Sequence, residues 1–346
     1  MKKPKNDQRK IEEVDLLKLK FFRYLFGRCE QKGLGNIGPN ILYTGTGRAA
    51  LRIILEHLTI KGILANKNSE ILIPQWLCQS VAYTLSRFCH PTISVTNNIK
   101  ALMVYHQYGF PQNMDEICGF CEENNITLIE DCANVYESYY KTKRLGTFGE
   151  ASIFSFSKLF PSVLGGALVT RNKELYEYGK SRLKDTKYSH VVYWSRLLWE
   201  ILKDTPFRQM VSDIQEMVYA KTDGAFRIKD ISLRAVGYQL KRNIWQRRKR
   251  NYLFVLEYFS DRPEYFQGLE REGVTPYVAP LFDREDNLEK MKKKLLENNI
   301  LTGIYHFDVN RNILDPVFRK CLWIPVHQGL ELEDVERICA VVKKAV

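Results

Sequence analysis

The sequence predicts an α/β fold: a large domain with a mainly parallel sheet, followed by a small C-terminal α+β domain. Three observations carry this. Between residues 44 and 170, short aliphatic runs alternate with helical segments, the pattern of parallel strands joined by crossover helices. Those runs end at polar or proline residues, and the carboxyl ends of strands are where such sheets collect ligands. From about residue 270 the pattern changes to strand, helix, strand, helix on a smaller scale. The expected organisation is an N-terminal arm and loop over 1–40, a large domain over 41–250 and a small domain over 251–346.

The elements follow in order. Residues 11–30 read as a helical arm, and Gly33, Gly35 and Gly38 as a loop. Thr44-Gly45-Thr46-Gly47 then delivers the start of a buried helix carrying Ala49, Ala50, Leu51, Ile53, Ile54, Leu55 and Leu58. Ile71-Leu72-Ile73 is a strand stopped by Pro74, with a helix from about Leu77 to Arg87. Leu102–Tyr105 is the next strand, then a helix over 112–125. Ile126–Ile129 is a strand running into Glu130-Asp131, and Ser152–Phe156 and Ala167–Thr170 are two more. Residues 171–260 are helical in tone. In the C-terminal part, Val274–Leu281 and Leu322–Pro325 read as strands. Leu288, Met291, Leu295 and Leu296 mark one helix, and Leu332, Val335, Ile338, Cys339 and Val342 the last.

Composition excludes several classes. Apolar residues are 45 % and charged residues 27 % of 346, ordinary globular usage that rules out a disordered or fibrous chain. No window approaches the roughly 18–20 apolar residues of a membrane span. Met1 to Lys10 has no apolar run behind it, so no secretory signal is read and a cytoplasmic enzyme is expected. The net charge of +12 favours anionic partners. Its densest cluster, Arg247-Arg248-Lys249-Arg250, lies between Ile244-Trp245 and Leu253-Phe254 and reads as the wet face of a helix, with an anion- or membrane-facing patch as the alternative. Neither zinc-finger spacing nor an RNP-type aromatic signature accompanies it, so nucleic acid is not expected; a membrane partner has no support either. The eight cysteines are scattered, and the Cys118/Cys121 pair has no second pair to complete a zinc site. Met114, Ile117, Cys118 and Cys121 instead form the buried stripe of an amphipathic helix, and no metal is expected.

Four local signals could carry chemistry, each beside a plainer reading. Asp131 closes an apolar strand, where a carboxylate costs free energy unless something cationic or hydrogen-bonding meets it; a solvated strand end or a helix cap would also explain it. Lys158 sits in the apolar stretch Phe154-Ser155-Phe156-Ser157-Lys158-Leu159-Phe160. Burial there would favour the neutral amine, which can attack a carbonyl carbon, although a lysine near a strand end is commonly a surface residue. Gly45-Thr46-Gly47-Arg48 combines a helix start, a hydroxyl and a positive charge, which suits a phosphate dianion; short glycine-rich loops are also simply common. Gly165-Gly166 has a plain turn reading. Their order, however, describes a pocket for pyridoxal phosphate (PLP): phosphate at the helix start, ring nitrogen at the aspartate, aldehyde carbon at the lysine.

From about residue 40 onward the chain resembles the DegT/DnrJ/StrS family of PLP-dependent sugar aminotransferases, which have the aspartate-aminotransferase (type I) fold. Thr44-Gly45-Thr46-Gly47-Arg48-Ala49-Ala50-Leu51 is similar to the family's phosphate loop, and Ile71-Leu72-Ile73-Pro74 to its strand into a cofactor-facing aromatic segment. Val104–Gly109, Ile129-Glu130-Asp131-Cys132-Ala133-Asn134, Phe154-Ser155-Phe156 with Lys158, Gly165-Gly166, Phe226-Arg227 with Gln239-Leu240, and Ile324–Leu330 match further family stretches. The resemblance implies that Lys158 holds PLP and shuttles a proton, and that Asp131 keeps the pyridine nitrogen protonated. Thr46, Gly47 and Ser155 would hold the phosphate, and Asn134 takes the place of the family's Gln or His. Trp76 is the candidate for stacking on the ring, with Cys78 as the competing position.

Several positions depart from the family. The stretch from Phe-Ser-Phe to Lys158 is two residues shorter, Leu164 replaces a Glu, and Ala225 falls where an Asn usually crosses the dimer interface. Residues 171–222 lack the family's Arg-Asn-His-Gly landmark. The implied activity is transfer of an amino group from an amino acid, glutamate by family analogy, to a keto-sugar, nucleotide-linked, at active sites shared across a homodimer. The alternatives are another PLP reaction, lyase or condensation, and a non-catalytic protein of the same fold.

Overall fold

The computed structural model describes residues 37–160, 162–183, 187–202, 226–241 and 244–346, with short pieces at 205–207, 209–211 and 213–214. The helical arm expected over 11–30 and Ala225 lie outside the described residues.

The large sheet is entered by β1 (Asn40–Thr44) and α1 (Gly47–Ile60). Then come β2 (Glu70–Leu72), α2 (Gln79–Ser86), β3 (His90–Thr92), β4 (Ile99–Tyr105), α3 (Met114–Glu123) and β5 (Thr127–Cys132). A two-stranded hairpin, β6 (Tyr139–Tyr140) and β7 (Lys143–Arg144), precedes β8 (Ala151–Ser155). The single turn α4 (Phe156–Leu159) joins β8 to β9 (Gly166–Thr170). Helices α5 (Lys173–Arg182), α6 (Lys187–Leu202), α7 (Asp230–Lys241) and α8 (Ile244–Tyr258) lead to β10 (Val278–Leu281), α9 (Glu285–Glu297), β11 (Ile304–Asp308), β12 (Phe318–Pro325) and α10 (Leu332–Lys343). Residue 250, the expected domain boundary, falls within α8.

The seven-stranded sheet has the order β1-β9-β8-β5-β4-β2-β3. From β3 to β8 the strands are parallel; β9 alone runs antiparallel to both its neighbours, and the edge strand β1 points the same way as the rest. Side chains alternate between its faces as the pleat requires. Ile71, Met103, Ile129 and Ile153 pack on one side with Ala50, Leu51 and Ile54 of α1, while Leu72, Leu102, Val104 and Leu128 pack on the other with Met114 and Ile117 of α3. Cys121 joins this second core and Cys118 is half-buried, so the stripe on α3 is apolar packing. The antiparallel sheet β10-β12-β11 forms a second layer, with Val335, Ile338 and Val342 of α10 in its core. Among the described residues no helix is long and apolar enough to cross a membrane.

Three differences from the sequence reading have physical causes. The strand expected over 274–281 begins only at Val278, after Pro276 in the loop. Phe156 leaves the sheet to start α4. Arg248 is not on a wet helix face: it is 4 % exposed, while Arg247 and Arg250 remain exposed. Four consecutive residues cover more than one helical turn, so one of them must face the core side.

Candidate active site

The predicted site residues gather where β1, β4, β5 and β8 end. Thr46 caps α1: its hydroxyl oxygen accepts from Ala49 N–H at 3.1 Å and keeps its own hydrogen free to donate. This helix has fourteen residues, so its start presents the positive end of a full macrodipole. Gly166 of β9 presses against that start: a Cβ there would lie 2.6 Å from Gly47 N and 2.7 Å from Phe154 O. Gly47 in turn lies beside Ser155, so Thr46, Gly47 and Ser155 form one cradle. Its outer wall is Phe226-Arg227, which bridges to Thr44 and accepts Gly45 N–H on the Phe226 carbonyl at 2.8 Å. Gly45 must lack a side chain because its Cβ would fall inside the Phe226 ring.

Asp131 is the penultimate residue of β5 and is 3 % exposed. Its Oδ1 accepts from Ala133 N–H at 2.9 Å. Burial pushes its pKa above the ordinary carboxylate value, against the pull of the Lys158 charge, the Ala133 N–H and His106. Lys158, in contrast to the burial considered from the sequence, is exposed on α4. Asn134 is buried and accepts a hydrogen bond from the Tyr105 hydroxyl, which stands opposite Asp131 in the β4–β5 register.

Trp76 and Cys78 are placed differently. The Trp76 ring stacks on His306 of β11, with centroids 4.1 Å apart and planes 3° from parallel. Cys78 is exposed before α2, with Sγ 3.2 Å from the Ser80 hydroxyl. Partial desolvation pushes its thiol up, but the Ser80 hydroxyl and N–H, the Lys158 charge and the Val81 N–H bring it below the ordinary value. Cys78 therefore shares the electrostatic neighbourhood of Lys158. Leu164, in place of the family's Glu, is buried against Val192 and Phe226.

Several polar residues that sequence reasoning passed over build the surroundings. Glu130, next to Asp131 but on the other face, is fully buried and ties down the loop before β8. Its oxygens accept from Gly146, Phe148 and Gly149 N–H at 2.7, 2.6 and 2.9 Å, and from His106 Nε2 at 3.1 Å. His106 Nδ1 accepts from Gln112 N–H, which assigns the ring hydrogen to Nε2. His106, Glu130 and Cys132 could converge on a metal ion, but these hydrogen bonds already saturate the carboxylate. Gln107, just past β4, donates to His306 C=O at 2.7 Å and accepts from Asp308 N–H at 3.1 Å, so it extends the edge of the small sheet like an added strand. A cleft of about 40 Å³ lies here, lined by Trp76, Tyr105, Gln107, Asp308 and Phe318 among others. A larger hollow of about 340 Å³ sits at the opposite end of the sheet, beside Cys118, Glu122 and Glu150, and contains none of the predicted residues.

Comparison with known proteins gives a consistent picture. A profile of the DegT/DnrJ/EryC1/StrS aminotransferase family matches residues 92–343. The GDP-perosamine synthase of Escherichia coli is 44 % identical over 85 residues, 24 % of this chain and 23 % of that one. The UDP-4-amino-4,6-dideoxy-N-acetyl-beta-L-altrosamine transaminase of Campylobacter jejuni is 27 % identical over 268 residues, 70 % of this chain and 64 % of that one. The aligned parts thus span less than two thirds of both relatives. Among solved structures, Helicobacter pylori PseC, an aminotransferase involved in the biosynthesis of pseudoaminic acid, superposes with a TM-score of 0.66 at 17 % identity over 96 % of both chains. That likeness establishes the fold.

Proposed function

Because the chain belongs to the DegT/DnrJ/EryC1/StrS aminotransferase family, we propose that it is a PLP-dependent aminotransferase. It passes an amino group from an amino acid, glutamate by family analogy, to a keto-sugar carried on a nucleotide. The observation that carries this reading is the pairing of a buried carboxylate, Asp131, with an exposed amine, Lys158, at neighbouring strand ends. A carboxylate that burial drives toward its protonated form calls for an N–H⁺ partner, and a pyridinium nitrogen is one. The capped start of α1 offers a dianion site beside it. The donor set therefore fits PLP.

Bound PLP supplies an electrophilic carbon and a ring that takes up the electrons left when a Cα–H bond breaks. The protein supplies the rest. Thr46, Gly47 and Ser155 hold the phosphate, and Asp131 keeps the ring nitrogen charged. Asn134, fixed by the Tyr105 hydroxyl, orients the cofactor. Lys158 would anchor it and move protons at the substrate carbon, taking one from the donor carbon in the first half-reaction and delivering one to the acceptor carbon in the second. We place Cys78 against the cofactor, because its thiol feels the Lys158 charge. Trp76 is engaged by His306 and lines the cleft for the acceptor. The sugar reading draws on the two relatives, whose names give a perosamine and an altrosamine product chemistry. Phe226-Arg227, against the phosphate cradle, belongs to the stretch that resembles the family's route to the partner subunit, and supports a homodimer with shared sites. We place the reaction in the cytoplasm, where glutamate and nucleotide-linked sugars are both available.

The test is the visible spectrum of the wild type and Lys158→Ala with PLP, before and after glutamate. The expected outcome is a yellow band in the wild type alone, bleached to the near-ultraviolet pyridoxamine form by glutamate. A band of equal strength in Lys158→Ala would remove Lys158 from its role.

A further inference from the structure

The buried arginine of the basic cluster has an unusual set of partners. Arg248 is 4 % exposed, yet its hydrogen-bond acceptors are neutral groups. Nη1 donates to Tyr277 C=O at 2.7 Å and more weakly to Pro276 C=O at 3.4 Å, while Nε and Nη2 both donate to Gln328 Oε1, at 3.2 and 2.6 Å. Burial lowers its pKa to about 10, which leaves it charged at neutral pH. A guanidinium offers only donors, so the Gln328 amide is locked with its oxygen toward Arg248. Its NH₂ must then point the other way, and it donates to Leu159 C=O at 2.6 Å. Leu159 is the residue after Lys158.

This bond matters because α4 is one turn of four residues without a side-chain cap. A lone turn has almost no stability of its own, and its last carbonyls have no intrahelical partner. Leu159 itself is buried. Phe160, immediately after, packs edge-on against Tyr136, and Tyr136, Leu159, Phe160, Arg248 and Gln328 line one small cavity. The carbonyl beside the reactive lysine is thus held by the C-terminal layer, 169 residues away in sequence. The charge on Arg248 polarises the amide and strengthens the second bond.

We propose that Gln328, clamped by Arg248, is a positioning residue that fixes the α4 turn and so aims the Lys158 amine; this rests on the reading of Lys158 given above. The charge on Arg248 sets the orientation of the amide, and the amide sets the turn.

Gln328→Glu separates this from ordinary packing. It gives Arg248 a carboxylate, which favours folding, but sets an acceptor oxygen against Leu159 C=O. The PLP-loaded full chain is compared as wild type, Gln328→Glu and the near-isosteric Gln328→Met. Three readouts are taken: thermal midpoint, pH midpoint of the visible band, and single-turnover bleaching by glutamate at varied concentration. For Gln328→Glu the expected result is a thermal midpoint within about 3 °C of wild type. Its band midpoint should move by about half a pH unit or more. The saturating bleaching rate should fall roughly tenfold or more, with half-saturation changed less than about threefold. Gln328→Met should show the same spectral shift with lower stability. A wild-type band midpoint and rate in both variants, whatever their stability, would overturn the positioning role. Absence of a Lys158-dependent band in the wild type would instead overturn the underlying reading of Lys158.

Discussion

The strand-end face and the joint between the two sheets are built by different means. At the strand ends, each functional residue is delivered by its own local motif: Thr46 by a helix start, Asp131 by the end of β5, Lys158 by the turn after β8. At the joint, the important contacts cross the chain. Gln107 meets β11 across 199 and 201 residues, Gln328 meets Leu159 across 169, and Arg248 meets Gln328 across 80. The first region carries charge and chemistry; the second consists largely of neutral amides bonded to backbone. Chemistry is therefore local and its aim is not. Damage to the strand ends should change what the site can do, while damage to the joint should change how well it is held.

The sharpest form of this contrast is a substitution that weakens function and strengthens the empty fold. Asp131→Asn is expected to do both. Loss of one charge-assisted hydrogen bond, about 1.5–3 kcal/mol, should slow the glutamate half-reaction by about 10- to 150-fold. In the apo-protein the sign reverses. The folded-state pKa of Asp131 is raised, so the folded state binds more protons than the unfolded one between the two pKa values. Stability contributed by the protonated form is present at low pH, falls as pH rises through that window, and is wholly lost above the folded pKa. At neutral pH the apo-protein of Asp131→Asn should therefore melt higher than wild type, and its melting should depend less on pH. PLP should raise the melting temperature of the variant less than that of the wild type. A lower apo melting temperature for the variant at neutral pH would mean that Asp131 already has a full set of partners.

The joint should respond in the opposite way. Gln107→Leu leaves His306 C=O and Asp308 N–H without their partner, and a lost buried pairing costs about 1–3 kcal/mol. The melting temperature should fall with or without PLP, and the yellow band should be retained. Because the cleft beside Trp76 shares this wall, half-saturation by the sugar acceptor should worsen more than the rate at saturation. A variant that lost the band while keeping its stability would erase the distinction between the two regions.

The same distinction governs what the sequence discloses. Parallel strands β2, β4, β5 and β8, helices α1 and α3, and the carboxylate at the end of β5 were legible because burial imposes a period on consecutive residues. Strand β3, His90-Pro91-Thr92, is a three-residue edge strand with a proline and no buried side chain, so it leaves no apolar run to read. Strand β11, Ile304–Asp308, buries only its last two residues, and the sequence shows no alternation there. Glu130 was visible only as a neighbour of Asp131; its role as the anchor of loop 146–149 depends on three backbone N–H groups that have no sequence signature. Arg248 was hidden inside a run of like residues, and helical geometry rather than composition selects which one turns inward. For Glu130, a polar residue inside an apolar strand was the one signal that could have flagged it.

The smallest expected effect decides which residue of the loop after β2 faces the cofactor. Trp76 and Cys78 are two apart, so a slip in matching motifs exchanges them, and the structure separates them: one ring lies on His306, the other side chain lies near the Lys158 charge. Cys78→Ala removes a thiol that feels Lys158 and should move the pH midpoint of the visible band by a few tenths of a unit, with little change in stability because Cys78 is exposed. Trp76→Ala removes a stacked aromatic pair, about 0.5–1.5 kcal/mol, which is roughly a two- to twelvefold change in an equilibrium. Since Trp76 is 47 % exposed and stacked on His306, that change should fall on acceptor binding and leave the band untouched. A band shift in Trp76→Ala with none in Cys78→Ala would return the stacking role to the aromatic residue. It would also mean that the Trp76–His306 contact opens when cofactor binds, which would make the joint a moving part of the site and not only its support.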